Sequence, residues 1–192
     1  GLGAYVEGTG IGPFEGADVR VDPDGTVFVH LGVCAQGQGH ETTLAQIAAD
    51  ELAVPLASVV VRGGDTSLVG YGMGTIASRV AAVAGPAVAK SAGQVANKAR
   101  LVAAAMLECA PEDVGLADGA VHVKGVPGRS LRLGEVARAA VRSPALATTS
   151  GPGLSACAFF YPGTVTWAFG AQAVVVEVDV EACALTLLKH IA

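Results

Sequence analysis

The chain has 192 residues, 52% of them hydrophobic, and its mean hydropathy of +0.52 excludes intrinsic disorder because such a composition can bury a core. A formal net charge of −5 with only 12 Lys and Arg residues excludes a basic surface for nucleic acid or an anionic membrane. Charged residues are sparse at 15%, which indicates that part of the surface faces other protein. The 26 glycines are about twice the usual share and indicate positions where the backbone bends sharply.

The first third of the chain predicts a hairpin followed by a strand, a turn and a helix. Residues 17–21 and 26–30 alternate with period two around Asp22-Pro23-Asp24-Gly25, as antiparallel strands do. A glycine-rich turn follows over residues 32–39, and apolar residues then recur at helical spacing over 44–52 until Pro55. The β-branched run at 58–62 predicts a buried strand.

The rest of the chain starts with a second glycine-rich turn, residues 70–75. A long helix is predicted over about 76–108, with a bend or a start near Pro86, and its Ala, Val and Gly face allows close packing. Residues 114–123 predict a hairpin with an Asp-Gly turn, 133–142 a helix, 143–163 a loop, and 172–179 and 184–191 two strands. These elements predict an α+β fold with helices packed on mixed sheets, with sublobes at 1–110 and 111–192.

The cysteines and histidines form no metal-binding or catalytic pattern. The four cysteines are too far apart for a zinc knuckle or an iron–sulfur motif, and they predict buried thiols in a reducing compartment.

The first residues lack the pattern of a signal peptide, so we expect a cytoplasmic location. The longest uncharged stretch, 143–176, contains prolines and glycines that exclude one membrane-spanning helix. We predict no catalytic and no metal-ligating residue in this chain.

The first glycine-rich turn predicts a site for an anion or a heterocycle. Its glycines allow main-chain N–H groups to point inward, the helix start adds partial positive charge, and glutamine amides can donate hydrogen bonds. The alternative is structural: the glycines only turn the chain, and Thr43 and Gln46 form a capping box. The candidate binding residues are Gln36, Gly37, Gln38, Gly39 and His40.

The second glycine-rich turn is built in the same way and also precedes a helix. The hydroxyls of Thr75 and Ser78 are candidate donors, and the fork-shaped guanidinium of Arg79 suits a pair of oxygens. For Arg79 the alternative is a surface charge or a structural ion pair. Two such turns suit a ligand that carries a pyrophosphate. The candidate binding residues here are Gly74, Thr75, Ala77, Ser78 and Arg79.

The two turns belong to a longer ordered set of motifs that covers essentially the whole chain. The sequence resembles the large, molybdenum-binding subunit of the xanthine dehydrogenase and aldehyde oxidase superfamily. It is most similar to the bacterial branch of carbon monoxide dehydrogenase-like proteins and N-heterocycle hydroxylases. The matching motifs are Val6-Glu7-Gly8-Thr9-Gly10, Gln36 to Thr43 with Gln46, Gly64-Asp65-Thr66, Gly72 to Arg79, and Thr166 to Ala171 leading into Val176 to Asp179.

The resemblance implies that residues 1–192 are part of a molybdopterin cofactor-binding domain. The two turns would bind molybdopterin cytosine dinucleotide with its molybdenum, and the substrate would be an N-heterocycle, an aldehyde, a similar small molecule or carbon monoxide. The partners it implies are the remaining part of the molybdenum subunit, an iron–sulfur subunit and a flavin subunit with FAD.

The glutamate that acts as the base in this family has no counterpart in the chain. We therefore expect the isolated chain to be inactive, because the reaction needs that base. The alternative function is a non-catalytic remnant or a scaffold domain that retains the fold without turnover.

Overall fold

The computed structural model describes residues 1–142 and 151–192, and within them ten strands form three sheets accompanied by three α-helices. The central sheet is mixed and the other two are antiparallel. Helices pack on the central sheet and on one another. The α+β class predicted from the sequence is confirmed.

The central sheet has the strand order β4-β3-β2-β8. Its β2–β3 pair is the antiparallel hairpin that the sequence predicts, and Thr26 N–H donates to the Asp24 side chain in the turn. Strands β3 and β4 are parallel, because helix α1 connects them as a crossover. The bounds are β2 Glu15–Val21, β3 Val27–Leu31, α1 His40–Leu52, β4 Val59–Gly63 and β8 Leu154–Phe160.

Helix α2, Gly85–Leu107, covers the apolar face of this sheet, and its start beside Pro86 confirms one of the two possibilities that the sequence left open. A turn of π-helix, Val80–Ala84, precedes it, closed by the Gly85 N–H on Val80 O. Pro86 has no N–H and its ring would clash with a carbonyl of the preceding turn, so the wider turn accommodates it. The predicted close packing is confirmed, since a Cβ at Gly85 would lie 3.3 Å from Ile47 Cδ1.

The second sheet, in the order β5-β6-β7, follows α2 and leads into helix α3. Asp118 and Gly119 both have positive φ, 49° and 74°, so the Asp-Gly turn of the predicted hairpin is confirmed. Helix α3 matches its prediction over 133–142. The bounds are β5 Val114–Ala117, β6 Ala120–Val123, β7 Ser130–Arg132 and α3 Leu133–Arg142.

The third sheet, in the order β1-β9-β10, joins the start of the chain to its end. The sequence did not predict β1, because that strand is exposed on both faces and therefore has no apolar alternation. The pairings β1–β9 and β2–β8 cross residue 110, so 1–110 and 111–192 are not separate lobes. The bounds are β1 Leu2–Thr9, β9 Thr166–Asp179 and β10 Ala184–Ile191.

Two further expectations need correction. The predicted loop over 143–163 contains strand β8, whose Leu154 and Ala158 face the core, while residues 143–150 lie outside the described part of the chain. The cysteines are not buried: Cys34, Cys157 and Cys183 are exposed and Cys109 is partly buried. No helix within the described residues is both long and apolar enough to cross a bilayer.

Candidate functional site

The two glycine-rich turns meet at one end of the parallel strand pair. The first turn, residues 32–39, follows β3. The second turn, taken here as residues 70–79, follows the loop after β4, so both turns lie at the carboxyl edge of these strands. This edge is the usual place for a ligand in a sheet with parallel strands. A cavity of about 390 Å³ opens between the turns, within the size range of small-molecule sites. Its lining residues are Gln36, Gln38, His40, Thr75, Ile76, Ala77, Ser78, Arg79, Val80 and Ala81.

The first turn is organised by its own residues. Gly37 and Gly39 have φ of 98° and 76°, a left-handed conformation that side chains rarely adopt. The Gln38 side chain folds back so that its Oε1 accepts a hydrogen bond from the Gln36 N–H. Its Nε2 donates to Gln36 Oε1 at 3.3 Å. The tip of the turn, residues 36–39, therefore has a defined shape that its own residues provide.

The capping box considered for this turn is not present. Helix α1 begins at His40 with Gly39 in the capping position, and Thr43 lies inside the first turn of the helix. The Thr43 hydroxyl donates to the carbonyl oxygen of Gly39 at 3.3 Å, whereas an N-cap side chain would accept from an N–H group. The Thr42 and Thr43 N–H groups donate to Gly39 O, so no side chain caps the earlier amide groups of His40 and Glu41, and such groups are a natural anion site.

Open space lies beside the glycines of both turns. A Cβ at Gly37, Gly39 or Gly74 would meet no protein atom within 4 Å among the described residues. His40 adds a buried Nδ1 atom that has no hydrogen-bond partner within residues 1–142 and 151–192. A buried polar atom of this kind needs a partner. These features fit a polar ligand that lies against both turns.

The second turn holds its backbone in an uncommon conformation. Gly74 has a φ of 82°, and the non-glycine residues Ala77 and Ser78 also have positive φ, 47° and 50°. The left-handed conformation costs a non-glycine residue roughly 1–2 kcal/mol, and such backbone strain clusters at functional sites. Arg79 then returns to the right-handed region. The Arg79 N–H closes the turn by donating to Ile76 O at 3.2 Å, so the main-chain N–H groups of residues 74–78 are the candidate donors to an anion.

Arg79 does not serve as the ligand-binding fork that the sequence suggested. Its side chain is fully buried, and Nη1 pairs with Glu15 Oε2 at 2.5 Å. The same Nη1 donates to Gly74 O, while Nε and Nη2 donate to the carbonyl oxygens of Ile11 and Phe14. Because these contacts use four of its five N–H groups, the guanidinium has the alternative role, a structural ion pair under the second turn.

Glu15 completes this support, and sequence reasoning missed it. Besides Arg79, its Oε2 accepts from the Met73 N–H at 3.1 Å, so one carboxylate holds two points of the second turn. Gly72 and Gly32 touch beside it, because a Cβ on Gly72 would lie 2.6 Å from Gly32 Cα. Glu15 is the first residue of a strand, and no local sequence pattern connects it to a turn 58 residues away.

The two hydroxyls expected to donate to a ligand donate to the protein instead. Ser78 Oγ donates to Glu7 Oε1 at 3.2 Å, and Thr75 Oγ1 donates to Cys34 O at 2.7 Å. A hydroxyl has a single proton, so these contacts remove both side chains from the set of donors. The donors that remain at the cavity are main-chain N–H groups and the amide groups of the first turn.

The loop between β4 and the second turn carries the Gly64-Asp65-Thr66 motif and lies against the first turn. A Cβ on Gly64 would be 3.0 Å from the Cβ of Cys34. The side-chain and main-chain hydrogen bonds from Ser67 lower the pKa of Asp65, which stays ionised. This carboxylate shapes its own loop and is absent from the cavity lining.

All the non-glycine candidates from the sequence line the cavity, and the three candidate glycines lie in the turns that form it. Three lining residues were not among the candidates from the sequence: Ile76, Val80 and Ala81. Ile76 directly follows Thr75 in the second turn. Val80 and Ala81 come just after Arg79 in the predicted helix, and this position could have indicated them.

A larger cavity of about 520 Å³ lies elsewhere, between the β2–β3 turn and the start of α3. Three of its charged side chains have partners, since Arg132 pairs with Glu135 and Arg138 donates to Pro23 O. The glycine turns, which carry an unpartnered polar atom, are therefore the stronger candidate for the binding site.

Comparison with known proteins identifies the family of the chain. The model of the molybdopterin cofactor-binding domain matches residues 1–192. The chain therefore belongs to this family and is a cofactor-binding segment.

Particular relatives narrow the comparison to molybdenum enzymes. The chain is 37% identical over 172 residues to the carbon monoxide dehydrogenase large chain of Afipia carboxidovorans, which covers 90% of this chain and 21% of that protein. It is 38% identical over 164 residues to the nicotine 6-hydroxylase large subunit of Paenarthrobacter nicotinovorans, covering 85% and 20%. The chain thus spans about a fifth of the length of these relatives.

Two solved structures share the fold of the chain, at sequence identities similar to those of the relatives above. Quinoline 2-oxidoreductase from Pseudomonas putida 86 superposes with a TM-score of 0.85 at 36% identity, covering 99% of this chain and 26% of that one. The Cu,Mo-containing carbon monoxide dehydrogenase superposes with a TM-score of 0.86 at 34% identity, covering 99% and 25%.

Proposed function

We propose that the chain binds molybdopterin cytosine dinucleotide between its two glycine turns, as one segment of a molybdenum hydroxylase. The observation that carries the proposal is the single cavity lined by both turns. A dinucleotide cofactor has a diphosphate, and two adjacent groups of main-chain amides supply donors for two phosphates. The whole enzyme would hydroxylate an N-heterocycle, an aldehyde or a similar small molecule, or oxidise carbon monoxide.

The residues of the first turn would bind one phosphate. The uncapped start of α1 provides N–H groups and the positive end of the helix dipole, and Gly37 and Gly39 leave room for close approach. The buried Nδ1 of His40 would gain the hydrogen-bond partner that it lacks among the described residues. The Gln36 side chain, whose Oε1 accepts from Gln38, retains its own amide N–H groups for the ligand.

The residues of the second turn would bind the other phosphate through main-chain N–H groups. The left-handed backbone at Ala77 and Ser78 orients these groups before any ligand arrives, which reduces the entropy cost of binding. When bound, the cofactor would supply the oxygen-transfer and two-electron chemistry. The chain itself would hold and orient the cofactor, and the general base would come from another segment.

Further chains would complete the enzyme. The sheet β1-β9-β10 exposes large apolar side chains, including Val6 at 70%, Phe169 at 83% and Leu185 at 67%. An exposed apolar surface of this kind usually contacts other protein. We propose that it packs against the remaining part of the molybdenum subunit, and that iron–sulfur and flavin subunits with FAD accept the electrons.

The test is chemical analysis of the protein that contains this chain, purified together with its companion chains. Molybdenum and CMP released by acid should be equimolar with the chain. Their absence from a complex with intact iron–sulfur and flavin subunits would contradict the proposal and favour the alternative, a scaffold domain without cofactor.

A matched pair of glycine variants tests the location of the site. Gly74→Val should abolish cofactor retention, because the side chain enters the open space beside the second turn and strains a left-handed backbone. Gly128→Val is the control, since Gly128 has the same φ of 82° and equally open surroundings but lies in the β6–β7 turn, outside the cavity lining. Equal molybdenum content in both variants would contradict the location.

A further inference from the structure

We propose that Thr75 is a positioning residue whose hydroxyl fixes the second glycine turn against the first. The inference rests on the proposed function, because the junction between the turns sets the shape of the cofactor cavity. It gives Thr75 a role different from direct ligand binding.

The Thr75 hydroxyl makes two hydrogen bonds to a single residue. Oγ1 accepts from the Cys34 N–H at 2.9 Å and donates its only proton to the Cys34 carbonyl oxygen at 2.7 Å. Cys34 lies two residues before Gln36 and Thr75 follows Gly74, so this pair joins the two turns directly. With its proton given to Cys34, the hydroxyl has none to donate to a phosphate.

Other contacts hold the second turn to a different part of the molecule. Arg79 and Glu15 hold Gly74 and Met73 from the side of β2. Thr75 instead contacts the first turn, at a place where Cys34 is exposed and Thr75 only partly buried. The backbone contact between Gly32 and Gly72 beside Glu15 also joins the two turns, so loss of the hydroxyl should loosen the junction at Cys34 while the fold remains intact.

The decisive variants are Thr75→Val, which keeps the shape and removes the hydroxyl, and Thr75→Ser, which retains the hydroxyl. Thr166→Val is the matched control, because it removes a hydroxyl bonded to Thr9 across the β1–β9 pair. The thermal midpoint of each cofactor-free variant should change by no more than about 3 °C, the effect of losing one or two weakly stabilising hydrogen bonds.

The first measurement is hydrogen exchange of the Cys34 amide in cofactor-free protein from a host that cannot make molybdopterin. Thr75→Val should increase the exchange rate about tenfold, whereas Thr75→Ser and Thr166→Val should match the unchanged protein. A hydroxyl that acts only on a ligand predicts no change without cofactor. Equal exchange rates in Thr75→Val and the unchanged protein would overturn the proposal, whether or not the protein binds cofactor.

The second measurement is the rate at which molybdenum and CMP leave the loaded complex during dialysis. Thr75→Val should lose both about tenfold faster, with rescue by Thr75→Ser and no effect of Thr166→Val. A Thr75→Val complex that retains cofactor as long as the unchanged complex would also overturn the inference. Absence of molybdenum and CMP from the unchanged complex would instead contradict the proposed function, and the exchange measurement would still decide the role of Thr75.

Discussion

The two glycine turns line one cavity, but different interactions hold them in shape. The tip of the first turn, residues 36–39, depends on its own glycines and on the contact between Gln36 and Gln38, all within a few residues. The second turn depends on the buried pair of Glu15 and Arg79, which joins positions 64 residues apart. One turn is therefore a local structure, and the other is an extension of the folded core.

This difference predicts that substitutions in the two turns affect ligand binding and fold stability differently. A change in the first turn should affect the ligand and leave the fold intact, because its side chains are mostly exposed. A change beneath the second turn should affect both, because it disturbs a buried charge pair.

Arg79→Met should lower the free energy of unfolding by about 3–5 kcal/mol, because it leaves the Glu15 carboxylate buried without its cation. Urea denaturation measures the loss. The control is Arg20→Met, which removes an exposed ion pair with Asp22 and should cost under about 1 kcal/mol. Adding Glu15→Gln to Arg79→Met should recover part of the loss, and equal losses in Arg79→Met and Arg20→Met would contradict the comparison.

Gly72→Ala should destabilise the fold by about 1–3 kcal/mol, because its Cβ would lie 2.6 Å from Gly32 Cα and the backbone must shift. Gly70→Ala is the matched control two residues earlier, where a Cβ meets no protein atom within 4 Å in the described part of the chain. Urea denaturation of both variants checks the difference. A neutral Gly72→Ala would mean that the two backbones do not need their close contact.

Gln38→Ala should change the free energy of unfolding by no more than about 0.5 kcal/mol, as is usual for exposed side chains. The variant should nevertheless release molybdenum and CMP several-fold faster, because the first turn loses the hydrogen bond from the Gln36 main-chain N–H to Gln38 Oε1. Comparison of denaturation curves with dialysis rates separates these effects. A loss of stability as large as that of Gly72→Ala would contradict the local character of this turn.

The sequence could predict the parts of the molecule that depend on local patterns. Glycines before a helical repeat indicated both turns, and the Asp118-Gly119 pair indicated a hairpin. Strand β1 escaped because neither face is buried, and β8 was missed because prolines and glycines precede it. At the site, Glu15 could not be found, and Arg79 and Thr75 received the wrong donor roles, since their partners are distant in sequence.

The most direct test is an experimental structure of the cofactor-loaded protein. We expect one diphosphate with oxygens within about 3.2 Å of main-chain N–H groups from both 36–40 and 74–79, and with the Thr75 hydroxyl still bonded to Cys34. A diphosphate that contacts only one turn, or that lies outside the cavity between them, would contradict it.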